Sequence, residues 1–269
     1  MYVETLISWL RTKPVTMEYG ICNLSVIPMR AEASDKSEQV SQVLFGETFE
    51  ITEWKDNWVK IITSIDNYPG WIGRLQFNML GHLAYKRVKQ IPPPITHRAV
   101  TQAWKINNNS ILYLPMGSSL SFLEGTTCRI GDEKFEIIGE IGETENMAVT
   151  ATSFLNTPYL WGGRTHFGID CSGFTQTVFR SQGFNLLRDA RMQEGQGYAL
   201  NSLHEAKLGD LAFFENADGA IVHVGIMLNN EKIIHASGKV KIDPIDEKGI
   251  FSDELKRYTH KLTTVKRMF

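Results

Sequence analysis

Brief apolar runs separated by polar turn residues fill the first part of the chain. Runs rich in β-branched and aromatic residues occur at 25–29, 42–45, 48–52, 58–63 and 70–73. Turn-forming residues stand between them, among them Gly46, Asp56, Asn57 and Pro69. Short strands joined by tight turns are typical of a small closed sheet, so this pattern predicts a small β-barrel.

Three consecutive prolines at 92–94 follow this region. Proline continues neither a helix nor a central strand, so they predict a connector. A second strand-rich stretch runs from about 99 to 141, with predicted strands at 110–114, 119–123, 127–130 and 134–138. We expect a second small barrel here, although it shows no clean sequence repeat of the first.

The pattern changes again near residue 144. Thr144 is a candidate N-cap for a helix over 145–154. A second helix is predicted over 172–182, because its apolar residues share one face and Gly183 stands where a helix stop is expected. Apolar runs at 209–214, 221–227 and 232–235 predict antiparallel strands, which makes this part α+β. The predicted domains are therefore 1–90, 91–143 and 144–269.

Charge and hydropathy argue against several classes of protein. The chain of 269 residues has 28 basic and 30 acidic residues, so it lacks the basic surplus of a dedicated nucleic-acid binder. No apolar run approaches the roughly 20 residues that span a bilayer, so we expect no membrane partner. The beginning of the sequence shows no secretory signal, which predicts a cytoplasmic protein, or a periplasmic or cell-surface one if a signal was trimmed. We expect a monomer.

Three cysteines cannot all pair within one chain, so at least one is left over. Cys171 stands at the start of the helix predicted over 172–182. Free backbone N–H groups and the positive end of the helix dipole stabilise a thiolate there and are expected to lower the pKa of Cys171. The alternative is a buried apolar cysteine, but Ser172 and Gly173 are poor neighbours for a core residue.

Two histidines on neighbouring predicted strands supply a base for this thiol. His223 and His235 are centred on residue 229, so a hairpin with its turn there would place the two imidazoles directly opposite each other. One ring would then act as the base and the other would orient it. Zinc ligation by Cys171 and these histidines is the competing interpretation. The chain has no H-x-E or HExxH pattern beside them, which favours the nucleophile and predicts no metal or cofactor.

At this point the motifs resemble the NlpC family of papain-like cell-wall peptidases, in segments 158–163, 168–174, 209–211, 223–226 and 234–237. The resemblance implies a papain-like catalytic domain with Cys171, His223 and His235 as its Cys–His–His set. The upstream half resembles bacterial SH3-like domains. Segments 66–71 and 187–190 resemble a narrower group, which contains dipeptidyl-peptidase VI and similar murein-recycling γ-D-glutamyl-diamino-acid endopeptidases.

This resemblance also implies a set of substrate-binding residues. Asp189 and Tyr68 match positions that bind the free amine of an N-terminal L-Ala, and Glu38 is our candidate for a third amine ligand, with Glu32 as the alternative. The positions that line the S2 side of the cleft are Tyr159, Asp170 and Ser172.

The implied activity is hydrolysis of the γ-D-glutamyl-diamino acid bond in murein peptides. Two alternatives stay open, a cell-wall amidase and a peptidoglycan-binding module with an inactive peptidase-like domain. The residues do not distinguish lysine from diaminopimelate as the diamino acid. We expect the second barrel to be mainly a spacer.

Overall fold

The structure is a computed structural model that describes residues 17–269. The first 16 residues of the predicted domain 1–90, including the stretch inspected for a signal, lie outside the described residues. Within the described part, none of the helices is long and apolar enough to cross a membrane.

The first seven strands form one antiparallel sheet, here called the first barrel, in the order β3-β2-β6-β5-β4-β1-β7. Alternate residues of its strands face a core built around Ile27, Phe49 and Ile61, as the two-residue period of a strand requires. Sequence analysis missed β1, β7 and the helix that follows them. The elements are β1 Glu18–Ile21, β2 Val26–Arg30, β3 Gln39–Leu44, β4 Thr48–Lys55, β5 Trp58–Thr63, β6 Pro69–Gly73, β7 Asn78–Leu80 and α1 His82–Gln90.

A five-stranded antiparallel sheet, the second barrel, follows in the order β10-β11-β12-β8-β9. The predicted strand at 119–123 is wrong except at Leu123, which begins β10, because residues 119–122 bind to the first barrel instead of forming a strand. The N–H of Ser119 donates to the carbonyl of Phe45 at 2.8 Å, and the hydroxyl of Ser121 donates to the carbonyl of Gly46 at 2.9 Å. The strands are β8 Val100–Lys105, β9 Ser110–Pro115, β10 Leu123–Glu124, β11 Thr127–Ile130 and β12 Glu133–Ile138.

The last region combines helices with a seven-stranded antiparallel sheet in the order β15-β21-β16-β17-β18-β19-β20. Strand β20 also pairs with β21, which closes the sheet on itself. Its elements are α2 Met147–Thr152, β13 Arg164–Thr165, β14 Gly168–Ile169, α3 Cys171–Ser181, α4 Ala190–Glu194, β15 Tyr198–Ala199, β16 Leu211–Glu215, β17 Ile221–Met227, β18 Lys232–Ser237, β19 Lys239–Asp246, β20 Gly249–Ser252 and β21 Arg257–Arg267.

The two helix predictions of this region fared differently. Helix α3 differs from the predicted 172–182 by one residue at each end. Helix α2 is shorter than the predicted 145–154 and has a different cap. Its N-cap is Asn146, whose side chain accepts the N–H of Val149 at 3.0 Å, rather than Thr144. Asparagine caps a helix slightly better than threonine, so a cap two residues later is physically reasonable.

A buried ion-pair cluster fastens the first barrel to the last region. Glu47 is 4% exposed and accepts from Arg164 through both carboxylate oxygens, at 2.9 Å each. Arg180, on α3, also donates to Glu47 at 2.9 Å. Burial raises the pKa of Glu47, but the two guanidinium groups outweigh burial and lower it to about 2. A charged group this well enclosed needs its partners, so the barrel and α3 are held as one unit.

Candidate active site

Cys171 is the first residue of α3, and the helix begins there because Asp170 caps it. Asp170 has an extended backbone, and its Oδ1 accepts the N–H of Gly173 at 2.6 Å. The thiol is 6% exposed and packs in the main core of this region. At the first helical position the amide N–H of Cys171 has no partner within the helix, so it remains available to an incoming oxygen.

Burial reverses the pKa shift that the helix start predicts for this thiol. Burial raises the pKa of Cys171 to about 12, and the charge of Asp170 adds to the rise. Backbone N–H groups of Val224 and Ser172 and the charge of Arg188 oppose it without overcoming it. The expected lowering is therefore wrong for the free protein: the resting group is a neutral thiol, which needs a base to remove its proton.

His223 lies on β17 and His235 on β18, and the two rings are hydrogen-bonded. Nε2 of His223 is 2.9 Å from Nδ1 of His235, with the ring planes at 83°. Burial, and then the neighbouring charges of His235, His260 and Lys241, lower the pKa of His223 well below its usual value. His223 is therefore a neutral imidazole at neutral pH, as a general base must be.

The two histidines are diagonal neighbours, not directly opposite as predicted. The pairs Ile226–Ile234 and Met227–Ile233 place the centre of the hairpin at residue 230. The residue opposite His235 is then Gly225. A Cβ at Gly225 would lie 2.9 Å from Cβ of His235. Because Gly225 has no side chain, the ring of His235 can reach past it to His223. Both histidines lie on the same face of the sheet.

Two further residues near the histidines were missed by sequence analysis. Asp243, on β19, is 4% exposed, and its Oδ2 lies 3.1 Å from Nε2 of His235. His260, on β21, stacks on His223 with ring centroids 4.1 Å apart. Neither stands in a motif, and the β19 and β21 strands that carry them were not predicted.

The three histidines fit a metal ion poorly as they are arranged. Their nitrogens lie within 4.8 Å of one another. However, the rings of His223 and His260 are inclined by only 24°, so their in-plane lone pairs run side by side and do not converge on one point. Nε2 of His223 and Nδ1 of His235 are also engaged with each other. The geometry suits proton transfer better than tetrahedral coordination.

The residues predicted for the S2 side surround the start of α3. Both oxygens of Asp170 are bound within the protein: Arg188 donates to Oδ2 at 2.6 Å and to Oδ1 at 3.1 Å, and the N–H of Gly162 donates to Oδ2 at 2.8 Å. Arg188 also donates to the hydroxyl of Ser172 at 2.9 Å. Burial raises the pKa of Tyr159, and a negative charge at Cys171 or Asp170 adds to the rise, so the phenol lies near both. Asp170 thus holds the helix start in place.

The first barrel contributes Tyr68 to the candidate site. Its hydroxyl is 3.1 Å from both carboxylate oxygens of Asp189, the residue before α4. Both side chains are half-buried. The turn that carries Tyr68 is bound to the catalytic helix, because Gln176 of α3 donates to Asp66 at 2.8 Å. The structure therefore brings these two predicted amine ligands together from different regions of the chain.

Glu38 also reaches the last region, at a different point. Its Oε1 accepts the indole N–H of Trp161 at 2.6 Å, and the neighbouring Gln39 donates to the carbonyl of Trp161 at 3.1 Å. Glu32, the alternative, is exposed within the 31–38 hairpin, where its backbone N–H donates to the hydroxyl oxygen of Ser37. Of the two glutamates, Glu38 is the one with a side-chain contact across the interface.

Comparisons with known proteins match both parts of this arrangement. The NlpC/P60 family matches residues 156–259, and the bacterial dipeptidyl-peptidase SH3 domain matches residues 29–74. The first match contains Cys171, His223 and His235, and the second contains Tyr68. Residues 156–259 are an NlpC/P60 domain. The predicted α+β fold with an all-β SH3-like region ahead of it is confirmed.

Similar proteins match most of the chain. The γ-D-glutamyl-L-lysine dipeptidyl-peptidase of Bacillus subtilis (strain 168) is 29% identical over 244 residues, which cover 85% of this chain and 78% of the relative. Dipeptidyl-peptidase 6 of Lysinibacillus sphaericus is 27% identical over 248 residues, covering 81% and 88%. The crystal structure of an NlpC/P60 family protein from Bacillus cereus superimposes with a TM-score of 0.75 at 19% identity, covering 93% of this chain and 99% of that one. The chain is homologous to these dipeptidyl-peptidases.

A large cavity lies away from the candidate site of the NlpC/P60 domain. It has a volume of about 690 Å³ and is lined by Lys89, His97, Arg180 and Asn185, among others. Arg180 belongs to the C-terminal turn of α3, whereas Cys171 begins that helix. An 11-residue helix is roughly 16 Å long, so this cavity is remote from the thiol. The candidate catalytic residues therefore lie at the other end of α3, away from this cavity.

Proposed function

We propose that this chain is a cysteine peptidase that hydrolyses the γ-D-glutamyl-diamino acid bond of murein peptides with a free N-terminal L-Ala. The observation that carries the proposal is a thiol at a capped helix start that packs against Val224, the residue after His223 on β17, together with the hydrogen bond between His223 and His235. Homology to proteins named γ-D-glutamyl-L-lysine dipeptidyl-peptidase and dipeptidyl-peptidase 6 supports the substrate class.

In the proposed reaction, His223 removes the proton of the Cys171 thiol as the sulfur attacks the carbonyl carbon of the γ-glutamyl amide. The amide N–H of Cys171 donates to the oxyanion that forms. His223 then gives the proton to the departing amine of the diamino acid. Water, deprotonated by His223, hydrolyses the resulting thioester and regenerates the thiol.

In this proposal, Tyr68 of the first barrel and Asp189 select substrates that have a free amine. Asp189 provides a carboxylate and Tyr68 a phenol oxygen at 3.1 Å from it, both half-buried. An ammonium group placed between them forms charge-assisted hydrogen bonds, whereas an acylated nitrogen carries no charge and adds bulk. Burial raises the pKa of Asp189, and a bound ammonium would favour its charged form. Glu38 is our third candidate for this subsite.

The test compares Cys171→Ala with Cys128→Ala, which changes another buried cysteine far from the histidines. Each protein is given L-Ala-γ-D-Glu-diamino acid peptides with lysine or diaminopimelate, N-acetylated copies, a muramyl peptide that contains the muramyl–L-Ala amide, and insoluble peptidoglycan. We expect wild type and Cys128→Ala to release L-Ala-γ-D-Glu from the free peptides only, and Cys171→Ala to release none. Cleavage of the muramyl–L-Ala amide instead would indicate an amidase. Peptidoglycan binding without release of any product would indicate a non-catalytic module.

We also propose that the substrate is a released murein peptide met in the cytoplasm, and that the enzyme acts as a monomer. A subsite that requires a free amine suits a peptide already cut from the glycan rather than one still attached to it. Fractionation of the source cell with an antibody against this chain tests the compartment. Sedimentation at working concentration tests the oligomeric state, and recovery of the protein outside the cytoplasm would overturn the first part.

A further inference from the structure

Asp243 adds a buried carboxylate behind the histidine pair. It lies on β19, beside β18, which carries His235. Its Oδ2 is 3.1 Å from Nε2 of His235 and 2.9 Å from the ammonium nitrogen of Lys241. Asp243 is 4% exposed and His235 is fully buried, so no water competes strongly for this contact. The proposed reaction uses Cys171 and His223, with His235 hydrogen-bonded to His223, and gives Asp243 no role.

The charge state of Asp243 decides which nitrogen of His235 carries a proton. Burial raises the pKa of Asp243, but the hydrogen bonds from His235 and Lys241 outweigh burial and hold it below its usual value. An ionised carboxylate only accepts hydrogen bonds. Nε2 of His235 must therefore carry a proton and donate it to Asp243.

The proton on Nε2 of His235 then determines which nitrogen of His223 is protonated. Burial lowers the pKa of His235, so the ring is neutral and carries one proton. Its Nδ1 is bare and accepts the hydrogen bond from Nε2–H of His223, 2.9 Å away. His223 is neutral too, so its own single proton is on Nε2 and its Nδ1 is bare.

We propose that Asp243 is a positioning residue that sets the tautomers of both histidines, so that Nδ1 of His223 is the base facing the thiol. The inference rests on the proposed function only for the role of His223 as base. Without the negative charge at 243, the proton of His235 can move to Nδ1 and donate to Nε2 of His223. The proton of His223 is then forced onto Nδ1, and the base is lost.

Other charged or titratable groups around the pair do not set this choice. Lys241 contacts Asp243 and stabilises its charge, but it has no hydrogen bond to either ring. His260 stacks on the face of His223 at 4.1 Å and bonds through its Nδ1 to the hydroxyl of Thr259 at 2.9 Å. Neither group is hydrogen-bonded to a ring nitrogen of His235, whereas Asp243 is.

The direct measurement is the ¹⁵N NMR spectrum of histidine-labelled protein at neutral pH. We expect both His223 and His235 to be single tautomers with the proton on Nε2. Asp243→Asn keeps the shape but removes the charge, and its amide can donate to Nε2 as well as accept. We expect this variant to populate the other tautomer in both rings. A wild-type His235 that is protonated on Nδ1, or on both nitrogens, overturns the proposal even if the variant does not fold.

Kinetics give a second readout that a purely structural role would not produce. We expect Asp243→Asn to lower kcat at least about tenfold with KM changed less than about twofold, because the tautomer affects the base and not the substrate subsites. The matched control is Asp246→Asn, an exposed aspartate on the same strand that bonds Tyr258. An unchanged kcat in Asp243→Asn contradicts the proposal. If the tautomers are as expected but Cys171→Ala retains cleavage, the proposed function fails and the tautomer assignment stands.

Discussion

The hydroxyl of Tyr68 lies 3.1 Å from each carboxylate oxygen of Asp189, across 121 positions of sequence. Tyr68 belongs to a turn of the first barrel, and Asp189 stands at the start of α4 in the NlpC/P60 domain. Asp66 and Gln176 bind the same turn to the catalytic helix. The proposed amine subsite can therefore form only when the two regions are packed together.

Removing the Tyr68 hydroxyl should weaken recognition of the substrate amine. We expect Tyr68→Phe to raise KM for free-amine peptides and to lower kcat/KM about 10- to 100-fold, because a hydrogen bond to a charged group is worth about 1.5–3 kcal/mol. Steady-state kinetics on the free-amine peptides measure KM and kcat separately. The control is Tyr113→Phe, on the exposed face of the second barrel. A KM equal to that of wild type would show that Tyr68 does not bind the amine.

Breaking the cluster at Glu47 should destabilise the first barrel and the NlpC/P60 domain together. Glu47→Gln leaves Arg164 and Arg180 buried without a carboxylate, and we expect a loss of about 3–5 kcal/mol in the free energy of unfolding. The exposed pair Arg98–Glu140 supplies the control, since Glu140→Gln should cost less than about 1 kcal/mol. Urea unfolding followed by circular dichroism measures both. A variant as stable as wild type would contradict the role given to this cluster.

Adding a methyl group at Gly225 should misplace His235. A Cβ there would lie 2.9 Å from Cβ of His235 and 2.7 Å from Cδ1 of Ile233, so the hairpin must shift. We expect Gly225→Ala to lower kcat severalfold and to cost about 1–3 kcal/mol of stability through overpacking. Gly81→Ala is the control, because a Cβ at Gly81 meets nothing within 4 Å. Normal kcat in Gly225→Ala would mean that the two histidines tolerate a wider separation.

The partly buried His166 should make the protein less stable in acid. Burial lowers the pKa of His166 to about 4, and its ring stacks on Phe154 at 3.6 Å. Between pH 6.5 and 4 the unfolded chain binds this proton and the folded protein does not, so stability is retained above 6.5 and falls as the pH is lowered. We expect His166→Phe, which keeps the stacking, to reduce this fall by roughly 2 kcal/mol at most.

The measurement is the free energy of unfolding at several pH values for wild type, His166→Phe and His204→Gln. His204 is exposed, so its replacement should leave the pH profile unchanged. If wild type and His166→Phe lose the same stability between pH 6.5 and 4, the acid sensitivity belongs to other groups.

Local sequence patterns were sufficient to predict the helices and strands whose formation depends on residues close to one another in the chain. Helix α3 was predicted to within one residue at each end from its apolar face and from Gly183 behind it, and β5 was predicted from a run of β-branched and aromatic residues. Residues brought close by one hairpin, such as His223 and His235, were also accessible, although the register differed by two residues from the prediction. Tyr68 and Asp189 were indicated by resemblance alone, because no local pattern links a turn of one domain to a helix cap of another.

Tertiary structure decided whatever depends on burial or on distant strands. Segment 119–122 is not a strand because the first barrel offers it hydrogen bonds, and the thiol of Cys171 has a raised pKa because the core surrounds it. No sequence motif marks Asp243 or His260. Strands β19 and β21 bring them next to His235 and His223. The sequence by itself determined which chemistry this protein carries. Only the packing of the chain determined the protonation of its groups and the neighbours that control it, since both depend on solvent exclusion and on contacts between distant residues.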